Sequence, residues 1–82
     1  MPTATAPGSR AVVRVLESGK TNVIDVKTGR LKELHADCPT DGAASSVRRV
    51  TREHGGGIME VTLRCPRCYT DFVAPRETLY LA

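Results

Sequence analysis

The sequence has no tryptophan, one phenylalanine and two tyrosines among its 82 residues. So few large side chains cannot fill two cores, and a chain this short makes one domain. Cores of this size supply only about 3–5 kcal/mol, so small domains usually add a disulfide or a metal. There are three cysteines, an odd number that cannot pair completely within the chain. The opening MPTATAPGS holds no apolar run of the kind a secretory signal needs. Both absences point to a reducing, cytoplasmic setting. No apolar stretch approaches the roughly 20 residues that cross a bilayer, so no membrane partner is expected. Twelve basic against nine acidic residues leave a net charge of +3, which permits a polyanionic partner without requiring one.

What is present is β-rich patterning. Residues 1–9, small and Pro-rich, read as a flexible arm, and 10–82 as one domain. AVVRVLE sets Val13 and Val15 against Val12, Arg14 and Leu16; SGKTN follows with turn residues, then Val23, Ile24 and Val26. This predicts an N-terminal β-hairpin of 11–17 with 22–27. Leu31–His35 fits either a strand or one helical turn. A second hairpin, 46–53 with 58–64, is predicted about Gly55, Gly56 and Gly57. In IMEVTLRC, Met59, Val61 and Leu63 share a face with Cys65, while Glu60, Thr62 and Arg64 take the other. On its partner run Val47 and Val50 fall on opposite faces, which leaves the register open. The tail after Cys68, with Phe72, Val73, Leu79, Tyr80 and Leu81, has enough apolar residues for one short strand and a packing segment.

Cys65-Pro-Arg-Cys68 is the most informative tetrapeptide. Two thiolates two residues apart on a tight turn suit one tetrahedral Zn²⁺, which needs two further ligands. Cys38 precedes the second hairpin and Cys65 follows it; a hairpin returns its ends to one place, so Cys38 should meet Cys65 and Cys68. The fourth ligand has two readings in the first knuckle. His35-Ala-Asp-Cys38 supplies an imidazole, and Cys38-Pro-Thr-Asp41-Gly42 supplies a carboxylate where a second cysteine would stand. Closed structural sites mostly use Cys and His, so His35 is preferred, with Asp41 and then His54 as alternatives. A glutaredoxin-like dithiol fits less well: its Cys-Pro-x-Cys opens a helix after an early strand, whereas this motif stands near the end of the chain with Pro75 close behind. The expected fold is a small, mostly β zinc ribbon, two knuckles joined by a β-hairpin, with an additional N-terminal β-hairpin.

Residues 46–68 concentrate the basic charge in Arg48, Arg49, Arg52, Arg64 and Arg67, opposed by Glu53 and Glu60. Arginine matches phosphate through its planar fork, so these five are candidate contacts to RNA or DNA. The plainer alternative is a solvated strand face. Aromatic stacking platforms are nearly absent; Tyr69, beside Cys68, is the best placed to stack on a base. A four-ligand zinc has no open position for water, and no nucleophile arrangement or phosphate loop appears. A non-enzyme without a small-molecule substrate is expected.

The stretch Ile58–Phe72, IMEVTLRCPRCYTDF, resembles the closing half of the Com family of small phage zinc-finger proteins, and the likeness extends over about residues 31–74. The resemblance implies a zinc site with Cys65 and Cys68 in the second knuckle, Cys38 in the later position of the first, and His35 in place of that knuckle's earlier cysteine. It also implies regulation of translation through messenger RNA. The competing expectation is a structural or assembly protein of a phage particle or other large complex, docking through its arm and hairpins.

Overall fold

The computed structural model describes residues 5–82; residues 1–4 of the expected arm lie outside the described residues. In chain order they form α1 (Arg10–Glu17), β1 (Asn22–Ile24), β2 (Leu31–Asp37), β3 (Ala44–Arg52), β4 (Ile58–Arg64), β5 (Asp71–Ala74), a 3-10 turn at Arg76–Thr78, and β6 (Tyr80–Leu81). The strands pair antiparallel in the order β1-β2-β3-β4-β5, with β6 also pairing β2. This is a small, mostly β architecture with one short helix.

That helix corrects the N-terminal hairpin. Val12, Val15 and Leu16 stand at i, i+3 and i+4, and all three are buried, which is the spacing of a helix stripe and not of a strand. Ser9 caps the start, its hydroxyl accepting from the Val12 N–H at 3.4 Å. Gly19 ends it in the left-handed region at φ 76°. The Gly19 N–H donates to Leu16 O at 3.1 Å and the Lys20 N–H to Val15 O at 3.3 Å, the paired bonds of a Schellman stop. SGK, expected to turn a hairpin, therefore terminates a helix. The β-branched valines mask this, because they favour strands whatever their spacing.

The first hairpin is shifted downstream. β1 pairs with β2, Asn22 opposite Glu33 and Ile24 opposite Leu31, which makes Leu31–His35 part of a strand. Asp25–Arg30 forms the connection, closed by Asp25 N–H to Arg30 O at 2.8 Å and Gly29 N–H to Asp25 O at 2.7 Å.

The second hairpin lies where the pattern places it, as β3 and β4, and two bulges explain its irregular phase. Val47 pairs with Leu63 and Arg49 with Thr62, so Arg48 is an extra residue. A one-residue insertion flips the alternation, and Val47 and Val50 accordingly both pack against the core. Arg52 opposes Ile58 and Thr51 opposes Glu60, which makes Met59 the second insertion. Ile58 is thus buried and Met59 is 56% exposed, the reverse of the inward Met59 predicted from strict alternation.

The core gathers Val12, Val15 and Leu16 of α1 against Leu34, Ala36, Ile58, Val61 and Leu63 of the sheet, with Leu79 and Leu81 from the tail. Each fully buried aliphatic side chain contributes about 1.5–3 kcal/mol. The tail supplies two short strands where one was expected, and chain entry is tied to it. Thr5 N–H donates to Leu81 O at 3.0 Å and Gly8 N–H to Leu79 O at 2.9 Å. Arg52 reaches from β3 to the Gly19 carbonyl and fastens the end of the helix to the sheet. No described helix is long and apolar enough to cross a membrane.

Candidate metal centre

β2 and β4 run the same way with β3 between them, so the turns that follow them emerge at one end of the sheet. The first is Cys38-Pro39-Thr40-Asp41-Gly42 and the second Cys65-Pro66-Arg67-Cys68-Tyr69. They are built alike. Gly42 N–H donates to Cys38 O at 2.8 Å and Tyr69 N–H to Cys65 O at 3.0 Å. Cys38 N–H donates to Ala43 O at 2.8 Å and Cys65 N–H to Thr70 O at 3.1 Å. Each leading sulfur accepts the N–H two residues on, Thr40 to Cys38 Sγ and Arg67 to Cys65 Sγ, both at 3.4 Å. The fifth residue of each turn has positive φ, 76° at Gly42 and 59° at Tyr69.

Cys38, Asp41, Cys65 and Cys68 meet here, each offering one donor atom, and those atoms all lie within 4.8 Å of one another. Cys38 Sγ is 3.7 Å from Cys68 Sγ, and Cys65 Sγ is 3.4 Å from each Asp41 carboxylate oxygen. The sulfur separation is far beyond a disulfide's ~2.05 Å, and all three cysteines are free thiols. Cys38 and Cys65 are buried, while Asp41 and Cys68 are exposed, so the cluster is half-sunk in the sheet end. This donor set could hold a metal ion.

The local field differs from residue to residue within the cluster. Burial pushes the Cys65 thiol up, with the Cys68 and Arg67 N–H groups opposing it. The Cys68 thiol is lowered, chiefly by its hydrogen bond to the Thr70 side chain and then by the Thr70 backbone. Asp41 is held below the usual carboxylate range, mainly by the Ala43 N–H, which donates to Oδ1 at 2.9 Å.

His35 is not in this cluster, and Asp41 is. His35 lies within β2 and Cys38 three residues on; in a strand that spacing sends the two side chains to opposite faces. His35 Nδ1 instead lies 2.8 Å from Glu33 O, and its ring stacks on Tyr80 with centroids 6.1 Å apart. His54 stands in the β3–β4 turn, at the other end of the sheet. The signal for Asp41 was legible: Cys-Pro-x-Asp-Gly repeats the backbone needs of Cys-Pro-x-Cys.

Two of the five arginines bond within the fold, and three are exposed with no side-chain hydrogen bond or ion pair among the described residues. Arg52 turns toward the helix, and Arg64 Nε pairs with Asp71 Oδ1 at 2.9 Å. Arg48 is exposed on its bulge, Arg49 is exposed opposite Thr62, and Arg67 is exposed within the second knuckle. Comparison with known protein families, curated protein sequences and solved structures finds no match to this chain.

Proposed function

We propose that this chain is a non-enzymatic, zinc-stapled binding module of the zinc-ribbon type that associates with nucleic acid as a regulator of transcription or translation. The observation that carries the metal part is the spacing of the donors. Tetrahedral Zn²⁺ with Zn–S near 2.3 Å and Zn–O near 2.0–2.2 Å requires ligand edges of about 3.7–3.8 Å for S to S and about 3.5–3.7 Å for S to O. The corresponding separations are 3.7 Å and 3.4 Å. Bound zinc would supply folding free energy and no reaction chemistry, since Cys38, Asp41, Cys65 and Cys68 fill its shell. The four residues link β2 and β4, which are neighbours of β3 but not of each other.

Arg48, Arg49 and Arg67 support the nucleic-acid part, being exposed side chains suited to phosphate. The resemblance to the Com family belongs to the same reading and narrows it to messenger RNA. The test is retardation of single-stranded RNA and duplex DNA by the zinc-loaded protein at two salt concentrations. Binding should weaken with salt, each phosphate contact adding about 0.7–0.9 to the logarithmic slope, and Arg48→Glu with Arg49→Glu should abolish retardation. Absence of retardation at low salt with both polymers refutes the nucleic-acid part. Protein that retains its native spectrum and melting temperature after verified metal removal refutes the structural-zinc part.

The second reading, a component of a larger protein assembly, is favoured by one specific feature, the open margin of the sheet at β1. A pull-down that returns a stoichiometric protein particle from protein inactive toward both polymers would select it.

A further inference from the structure

Between α1 and β1 runs a groove of about 420 Å³, floored by Val15, Val23, Ile24 and Leu31 and rimmed by Arg14 and Lys20. It continues along the helix into a second hollow of about 340 Å³ beside Arg10 and Ala11. Val23, Ile24 and Leu31 are all exposed, an apolar cluster that solvent would not favour on a small domain. Among the described residues lining either hollow there is no carboxylate, whereas three are cationic.

β1 also ends the strand order, so one of its edges is open. Leu34 N–H donates to Thr21 O at 2.9 Å and Asp25 N–H to Arg30 O at 2.8 Å; the bonds from β1 to β2 therefore leave from odd-numbered residues. By the alternation of an antiparallel ladder, the N–H and C=O of Asn22 and Ile24 face outward. An apolar floor, a cationic rim and an unpaired backbone edge thus lie side by side.

We infer that this margin binds an extended acidic segment of a partner protein, which adds as a strand to β1, lays aliphatic side chains into the groove and sets carboxylates against Arg10, Arg14 and Lys20. Charge selects this occupant over a second copy of the chain. Two-fold pairing through β1 would bring the cationic rim against itself, and like charges across an interface oppose association. The inference rests on the groove and the strand edge, independently of any contact to nucleic acid.

The probe is a short fluorescein-labelled peptide alternating Val or Ile with Glu or Asp, titrated into the zinc-loaded full chain. Three controls accompany it: the same peptide with Lys for its acids, the peptide N-methylated at alternate amides, and single-stranded RNA as competitor. Saturable binding is expected, with amide shift changes centred on Asn22–Ile24 and α1. The Lys peptide and the N-methylated peptide should bind at least about tenfold more weakly, as should the acidic peptide to Arg14→Glu with Lys20→Glu. Circular dichroism checks that this variant folds, and the two peptide controls leave the protein untouched. Absence of saturation at millimolar peptide overturns the proposal, as does equal binding of the N-methylated or Lys peptide. RNA that displaces the peptide and shifts the same amides also overturns it, assigning the margin to nucleic acid.

Discussion

Tyr69 provides a test of the knuckle geometry that needs no knowledge of the partner. It is the sole non-glycine residue with positive φ among the described residues, at 59°, and it occupies the position that Gly42 takes in the first knuckle at 76°. A left-handed backbone costs an L-residue about 1–2 kcal/mol. Tyr69 is 71% exposed, so its side chain recovers little of that through burial. Glycine at this position removes the strain but frees the unfolded chain, which offsets about 0.4–1 kcal/mol. Taking the middle of both ranges, Tyr69→Gly should therefore gain about 0.8 kcal/mol, whereas Tyr69→Ala keeps the strain and should fall below it by a similar margin. The mirror experiment is Gly42→Ala. An added Cβ there meets nothing within 4 Å, so its loss reports the backbone alone and should be about 1 kcal/mol. Thermal and urea denaturation under a fixed excess of zinc reads both, a 1 kcal/mol change appearing as about 4–8 °C in Tm for a domain of this size. Equal stabilities of Tyr69→Gly and Tyr69→Ala would refute the strain account, and so would a neutral Gly42→Ala.

Chelator competition should show His35→Ala with unchanged zinc affinity and Asp41→Ala at least about tenfold weaker, since even loss of a group supporting a ligand costs 10–100-fold; the opposite order would restore the histidine ligand. Gly19→Ala should be strongly destabilising in urea, because its Cβ would stand 2.5 Å from the Gly56 carbonyl oxygen in a backbone already at φ 76°; the strain alone is worth about 1–2 kcal/mol. Burial, reinforced by the hydrogen bond from its hydroxyl to Asp37 Oδ1 at 2.7 Å, pushes Tyr80 up to about 12. The fold thus favours neutral Tyr80, a contribution fully present below the unfolded value near 10 and lost as pH rises through about 12. Melting across that window should show the decline in the native chain and a shallower one in Tyr80→Phe; identical profiles would contradict the assignment.

Much of the sheet is legible along the chain. The GGG turn marks the β3–β4 hairpin, and the two Cys-Pro-x motifs mark the turns beside it, because turn chemistry and thiol spacing are local properties. The helix is not legible by β-propensity, although Ser9, Gly19 and the spacing of Val12, Val15 and Leu16 hold the information. The two bulges are harder. An inserted residue is visible only against the strand it opposes, and nothing within VRRV or IME shows that Arg48 and Met59 are the residues left over. The fourth member of the cluster turned on the same distinction between local and paired geometry. His-x-x-Cys looks like a knuckle in one dimension, but once residues 31–37 are a strand, pleating separates the two side chains.

By itself, then, the sequence determined that large apolar side chains are scarce, that three thiols would meet across one hairpin, and that any fourth donor beside them would not be a cysteine. These follow from composition and from loop closure, which hold for any chain with this spacing. The tertiary structure decided that Asp41 completes the cluster, that Val47 and Val50 pack against the core, that Arg52 and Arg64 bond within the fold, and that a cationic groove opens beside β1. Each of those depends on which strand lies next to which and in what register, a relation between distant segments that local sequence does not carry.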